Sequence, residues 1–134
     1  MDAPPRLTQL VYISVVSNAM TIDMDQIVSV CRENNAASGL TGAIIKHRDR
    51  FLQVLEGTND QVLNTFERIS RDTRHKSLVL LSIRTVEKRQ FGQDPLTLVT
   101  AGTANGDKFF DRLRQVMRDA NPTLRDEVRK VIDR

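Results

Sequence analysis

A chain of 134 residues, 28% charged and 40% apolar, has the size and balance of one globular domain with a two-layer core, which excludes a wholly disordered protein. Its net charge of +3 is scattered rather than gathered into a stripe, so composition gives no ground for direct nucleic-acid binding. The single Cys31 excludes an internal disulfide and suits a reducing cytosol, and the apolar runs are too short to span a bilayer, so a cytoplasmic location is expected.

The first predicted strand covers 8–16, an apolar run in which Tyr12 and Ser14 share a face. Met24, Ile27, Val28 and Cys31 then fall at helical spacing, with Thr21 as N-cap before Asp23 and Cys31 as an inert core residue. Gly39 is placed to end that helix in a left-handed conformation. Strands at 40–47 and 50–56 follow, joined tightly through His47-Arg48-Asp49-Arg50. A second helix at 59–71 buries Val62, Phe66 and Ile69, and a fourth strand spans 78–86. Residues 96–100 form a candidate fifth strand, which Pro95 forces to start late or to lie at an edge.

The tail reads separately. Ala101 to Gly106 looks like a flexible break, after which Phe109, Leu113, Val116 and Met117 mark a helix. Asn121-Pro122 stops it, and Leu124, Val128, Val131 and Ile132 mark another. Such helices cover the open face of a sheet or form a dimer contact. The expected fold is α+β, a ferredoxin-like βαββαββ mixed sheet with two helices on one face and two C-terminal helices. Residues 1–101 form its main domain and 102–134 a helical extension.

The chemistry concentrates in Phe51-Leu52-Gln53-Val54-Leu55-Glu56-Gly57, where one amide shares an apolar strand face with Phe51 and Leu55. Left unpaired when buried, a polar group costs about 1–3 kcal/mol, so Gln53 needs a partner. A split βαβ topology sets its strand beside that of Tyr12, beneath the helices. A planar ligand between those helices could touch both residues, with Asn35 reaching it from the end of the first helix. A core hydrogen bond would satisfy the amide equally well.

Tyr12, Asn34-Asn35, Leu40-Thr41-Gly42, Phe51 to Gly57 and the run from Arg68-Ile69 through Asp72 to Arg74-His75 occur in one order. This set resembles the BLUF family of blue-light sensors, which hold FAD noncovalently, and the likeness runs from about Leu7 to Phe91. The resemblance implies that Tyr12 and Gln53 are the photoactive pair. In that family the tyrosine gives an electron and then a proton to the excited flavin, and the glutamine rearranges its hydrogen bonds so that absorption shifts to the red. It implies further that Asn35, with Asn34 beside it, binds the polar edge of the flavin. Arg68 and Asp72, four apart and expected on one helix face, contact the FAD side chain; Ser14 lies near the tyrosine and His75 at the rim. It implies no turnover of substrate. The expected partners are a downstream effector protein and a second copy of the chain.

Two positions depart from the family pattern: Asp94 and Leu96 stand where many members carry tryptophan and methionine, both used to pass the signal outward. A light-insensitive interaction module of the same family is therefore the alternative reading. An RNA-binding module of this topology would need exposed aromatics, which one tyrosine and no tryptophan do not supply. An acyl phosphatase would need an anion-cradling first loop, and Ser17-Asn18-Ala19-Met20 has neither glycine nor arginine.

Overall fold

The computed structural model describes residues 6–16, 23–47, 50–72, 75–100 and 102–118, with the side chains of residues 16, 24, 47, 75 and 76 outside the description. The elements are β1 (Leu7–Val16), α1 (Met24–Ala37), β2 (Thr41–His47), β3 (Arg50–Gly57), α2 (Asn59–Ser70), β4 (His75–Val86), β5 (Thr97–Leu98) and α3 (Ala104–Val116). The sheet order is β4-β1-β3-β2-β5. β1 runs antiparallel to both β3 and β4, β2 is antiparallel to β3, and β5 is parallel to β2. This is the expected ferredoxin-like mixed sheet, with β1 and β3 at its centre.

Both faces of the central strands are buried, which is why β1 and β3 read as continuous apolar runs. Leu10, Tyr12, Leu55 and Val62 form one layer, with Phe66 and Ile69 of α2 packed onto it, and Ile44, Phe51 and Leu96 meet Val28 and Cys31 of α1 beside it. The opposite face gathers Val11, Ile13, Leu52 and Val54 under Phe109, Phe110 and Leu113 of α3. A fully buried side chain such as Leu52 contributes about 1.5–3 kcal/mol of burial. The first tail helix thus covers the open face, as one of its two expected roles. The second, at Leu124 to Ile132, lies outside the described residues.

Several boundaries differ from the sequence pattern for local reasons. Asp23, not Thr21, is the N-cap of α1: its carboxylate accepts from the Gln26 amide at 3.2 Å and places negative charge on the helix N-terminus. Gly39 has φ 71°, the left-handed conformation expected after the helix. β4 begins at His75, three residues earlier than 78, because an edge strand keeps pairing through polar residues that break the apolar pattern. β5 is reduced to two residues at the sheet edge, immediately after Pro95 and Leu96.

The expected break at Ala101 to Gly106 ends instead at Thr103, whose hydroxyl accepts from Gly106 N at 3.0 Å and starts α3. Gly106 is there for close approach: a Cβ would lie 2.2 Å from Thr100 O. α2 closes at Ser70, so Arg68 and Asp72 do not share a helix face; Asp72 lies past the end, its N–H on Ile69 O at 3.0 Å. No helix among the described residues is long and apolar enough to cross a membrane.

Candidate functional site

Register brings the two central residues together. Tyr12 on β1 stands opposite Gln53 on β3, and the Tyr12 hydroxyl donates to Gln53 Oε1. Both side chains are 3% exposed. Phe66 of α2 closes over the phenol with ring centroids 5.6 Å apart. Burial pushes the phenol's pKa far above its ordinary range, with the charges of Cys31 and Asp72 adding in the same direction. Those two residues come from α1 and from the end of α2, so both helices bear on the phenol.

Two residues further along β1 sits Ser14. The resemblance places it near the tyrosine. Its Oγ is buried with no hydrogen-bond partner among the described residues. Because β1 alternates, Ser14 and Tyr12 face the same layer. An orphaned hydroxyl costs about 1–3 kcal/mol, a penalty that a polar ligand atom would remove. Next to a buried phenol–amide pair and beneath two helices, it fits a planar ligand with polar edges.

The remaining predicted residues surround this point unevenly. Asn35 is buried, and its Nδ2 donates to Pro95 O at 2.8 Å, tying α1 to the segment before β5. Asn34 is exposed on the same last turn. Arg68 is exposed near the end of α2, and neighbouring Arg71 pairs with Glu67 at 2.6 Å. Asp72 is half-buried. His75 opens β4, but its side chain lies outside the described residues. Leu96 is fully buried against Ile44 and Phe51, whereas Asp94 is exposed.

Sequence reasoning missed a polar cluster at the other end of the same strands. Glu56 is fully buried and accepts from Gln9 Nε2 at 3.0 Å, Gln90 N at 3.0 Å and Phe91 N at 2.9 Å. Arg84 Nε reaches Gln9 Oε1 at 2.9 Å, and Arg89 Nη1 reaches Thr41 Oγ1 and Glu56 O, each at 2.7 Å. The available signal was a glutamate and a glutamine, Gln9 and Glu56, on otherwise apolar central strands. Neither has an apolar reason to be there.

These features define an α+β ferredoxin-like domain with a polar-lined site under its two helices. The family described as sensors of blue-light using FAD (BLUF) matches residues 7–96, and the chain belongs to that family. A photoactivated adenylate cyclase subunit alpha of Euglena gracilis is 30% identical over 97 residues, covering 72% of this chain and 9% of the relative. The blue light- and temperature-regulated antirepressor BluF of Escherichia coli (strain K12) is 30% identical over 93 residues, covering 69% of this chain and 23% of the relative. The chain thus spans a small part of both. Among solved structures, BlrP1 BLUF matches with a TM-score of 0.72 and 25% identity, covering 98% of this chain and 93% of that one.

Proposed function

We propose that this domain is a working blue-light sensor that binds FAD noncovalently between α1 and α2, with Tyr12 and Gln53 as its photoactive pair. The observation that carries the reading is the buried Tyr12–Gln53 hydrogen bond beside the partnerless Ser14 hydroxyl. Bound there, FAD supplies a ring that absorbs blue light and draws an electron when excited. Ser14, Gln53 and the Asn34-Asn35 pair would hold its polar edges, and Arg68 and Asp72 would contact its side chain, with His75 assigned to the rim of the site. The main domain is residues 1–101, with 102–134 as its helical extension.

The residues' own chemistry follows from their surroundings. A phenol is already protonated at neutral pH, and burial moves the Tyr12 pKa further up, so no phenolate stands ready in the dark. Loss of an electron would make the phenol proton strongly acidic, and Gln53 Oε1 is already hydrogen-bonded to it. An amide can answer by exchanging its donor and acceptor sides without changing net charge. A carboxylate at that position would impose a charge in dark and light alike. The output is a protein partner, as the effector-linked relatives suggest, with no substrate turned over by this domain.

A second reading, a light-insensitive protein-interaction module of the same family, is favoured by exposed Asp94 at the place where the resemblance puts a tryptophan. A visible absorption spectrum of the purified protein, dark and then under blue light, separates the two. A flavin spectrum shifting reversibly to the red supports the sensor, and Tyr12→Phe is expected to keep flavin while losing that shift. Flavin without a shift in the unaltered protein supports the second reading. A colourless protein that refuses added FAD removes the sensor.

A further inference from the structure

The sheet face opposite the phenol carries a cleft of about 330 Å³ between α3, β5 and the segment before it. Ala43, Val99 and Phe109 supply an apolar floor, all buried members of the α3-side core. Lys108 and Arg112 line one wall. Four apart on α3, they project side by side, and both are exposed. Neither makes a hydrogen bond or ion pair among the described residues. The acid across the cleft, Asp94, is engaged by the Thr97 hydroxyl at 3.3 Å. Thr97 belongs to β5, the end of the sheet, whose outer backbone edge has no strand beside it among the described residues.

Three recognition elements therefore adjoin: an apolar floor, two cations against the single carboxylate of Asp94, and the short open edge of β5. A small anion uses only the cations, whereas an extended peptide uses all three. We infer that this cleft docks an extended acidic segment of a partner protein. An aliphatic or aromatic anchor sits on the floor of Ala43, Val99 and Phe109, and a neighbouring Asp or Glu carboxylate lies between Lys108 and Arg112. That a partner is needed rests on the sensor reading above. The recognition chemistry does not, so it is tested in the dark.

The probe is a fluorescein-labelled peptide alternating glutamate with leucine and phenylalanine, followed by fluorescence anisotropy on the full chain. The double variant Lys108→Glu/Arg112→Glu, both at exposed positions, is expected to weaken binding ~tenfold or more through like-charge repulsion, with circular dichroism unchanged. Arg114→Glu, at a guanidinium already paired with Asp111 at 2.9 Å, is expected to leave the affinity within ~twofold. The inference is overturned if the double variant binds as well as the unaltered chain, or if Arg114→Glu costs as much. Equal binding of a lysine-for-glutamate control peptide overturns it as well.

Discussion

Replacing Ser14 with alanine is expected to move two quantities in opposite directions. The hydroxyl is buried and has no partner among the described residues, so its removal relieves a penalty of about 1–3 kcal/mol in the flavin-free protein. Against this stands the dispersion of one lost oxygen, a few contacts at ~0.1–0.2 kcal/mol each. The penalty is larger, so flavin-free Ser14→Ala should be more stable by ~1 kcal/mol, a rise in Tm of roughly 4 °C for a domain of this size. If Ser14 holds a polar edge of FAD, the same change deletes a hydrogen bond of ~0.5–1.5 kcal/mol and weakens FAD ~2- to 13-fold. Urea unfolding of the stripped protein gives the first number, and quenching of flavin fluorescence during titration gives the second. A pure packing defect would lower both. Loss of flavin-free stability, or unchanged FAD affinity, would refute the placement of the ligand against Ser14.

Two further outcomes follow from groups already described. Tyr12 is the sole tyrosine, and its folded pKa lies above the ordinary 10.0, so the stability this burial contributes is full below pH ~10. As pH rises beyond that, stability should fall by up to ~1.4 kcal/mol per pH unit, and phenolate absorbance should appear only together with loss of circular dichroism. A phenolate signal near pH ~10 in a still-folded protein would show an accessible phenol. Glu56→Leu leaves Gln9 Nε2 and the amides of Gln90 and Phe91 without their acceptor, which at about 1–3 kcal/mol each should cost ~3 kcal/mol or more in urea unfolding. A loss under ~1 kcal/mol would mean that the cluster is satisfied in another way.

The parts legible in the sequence were those where a side chain reports its own surroundings. Period-two alternation fixed which residues of β1 and β3 share a face, and split βαβ topology then made Tyr12 and Gln53 neighbours. Helix ends were harder, because Thr21 and Asp23 are both competent caps and only the geometry of the first turn chooses between them. Gly106 was misread as a break because a glycine needed for close backbone approach looks the same as one needed for freedom. Arg68 and Asp72 were assigned one helix face on spacing alone, and spacing does not say where a helix stops. Gln9 and Glu56 hinted at the buried cluster, but two of its donors are backbone amides of a loop far along the chain, which no local pattern encodes.

The ribbon from Arg89 to Val99 joins the two faces of the sheet, with Phe91 in the layer under α3 and Leu96 in the layer beside α1. It is pinned to the central strands by Glu56 at Gln90 and Phe91, and to β2 by Gly42 N on Asp94 O at 3.2 Å and Val99 N on Ile44 O at 2.8 Å. α1 holds it from the other side through Asn35 on Pro95 O and Arg32 on Leu96 O, the latter at 3.0 Å. Leu96 is fully buried against Ile44 and Phe51 and fills the inner position. Asp94 is exposed, while its backbone carbonyl accepts from Gly42 N and so carries the contact to β2. The Asn35 side-chain amide on Pro95 O and the main-chain hydrogen bonds of Asp94 and Val99 to β2 therefore link the end of α1 to β5 and the wall of the α3 cleft.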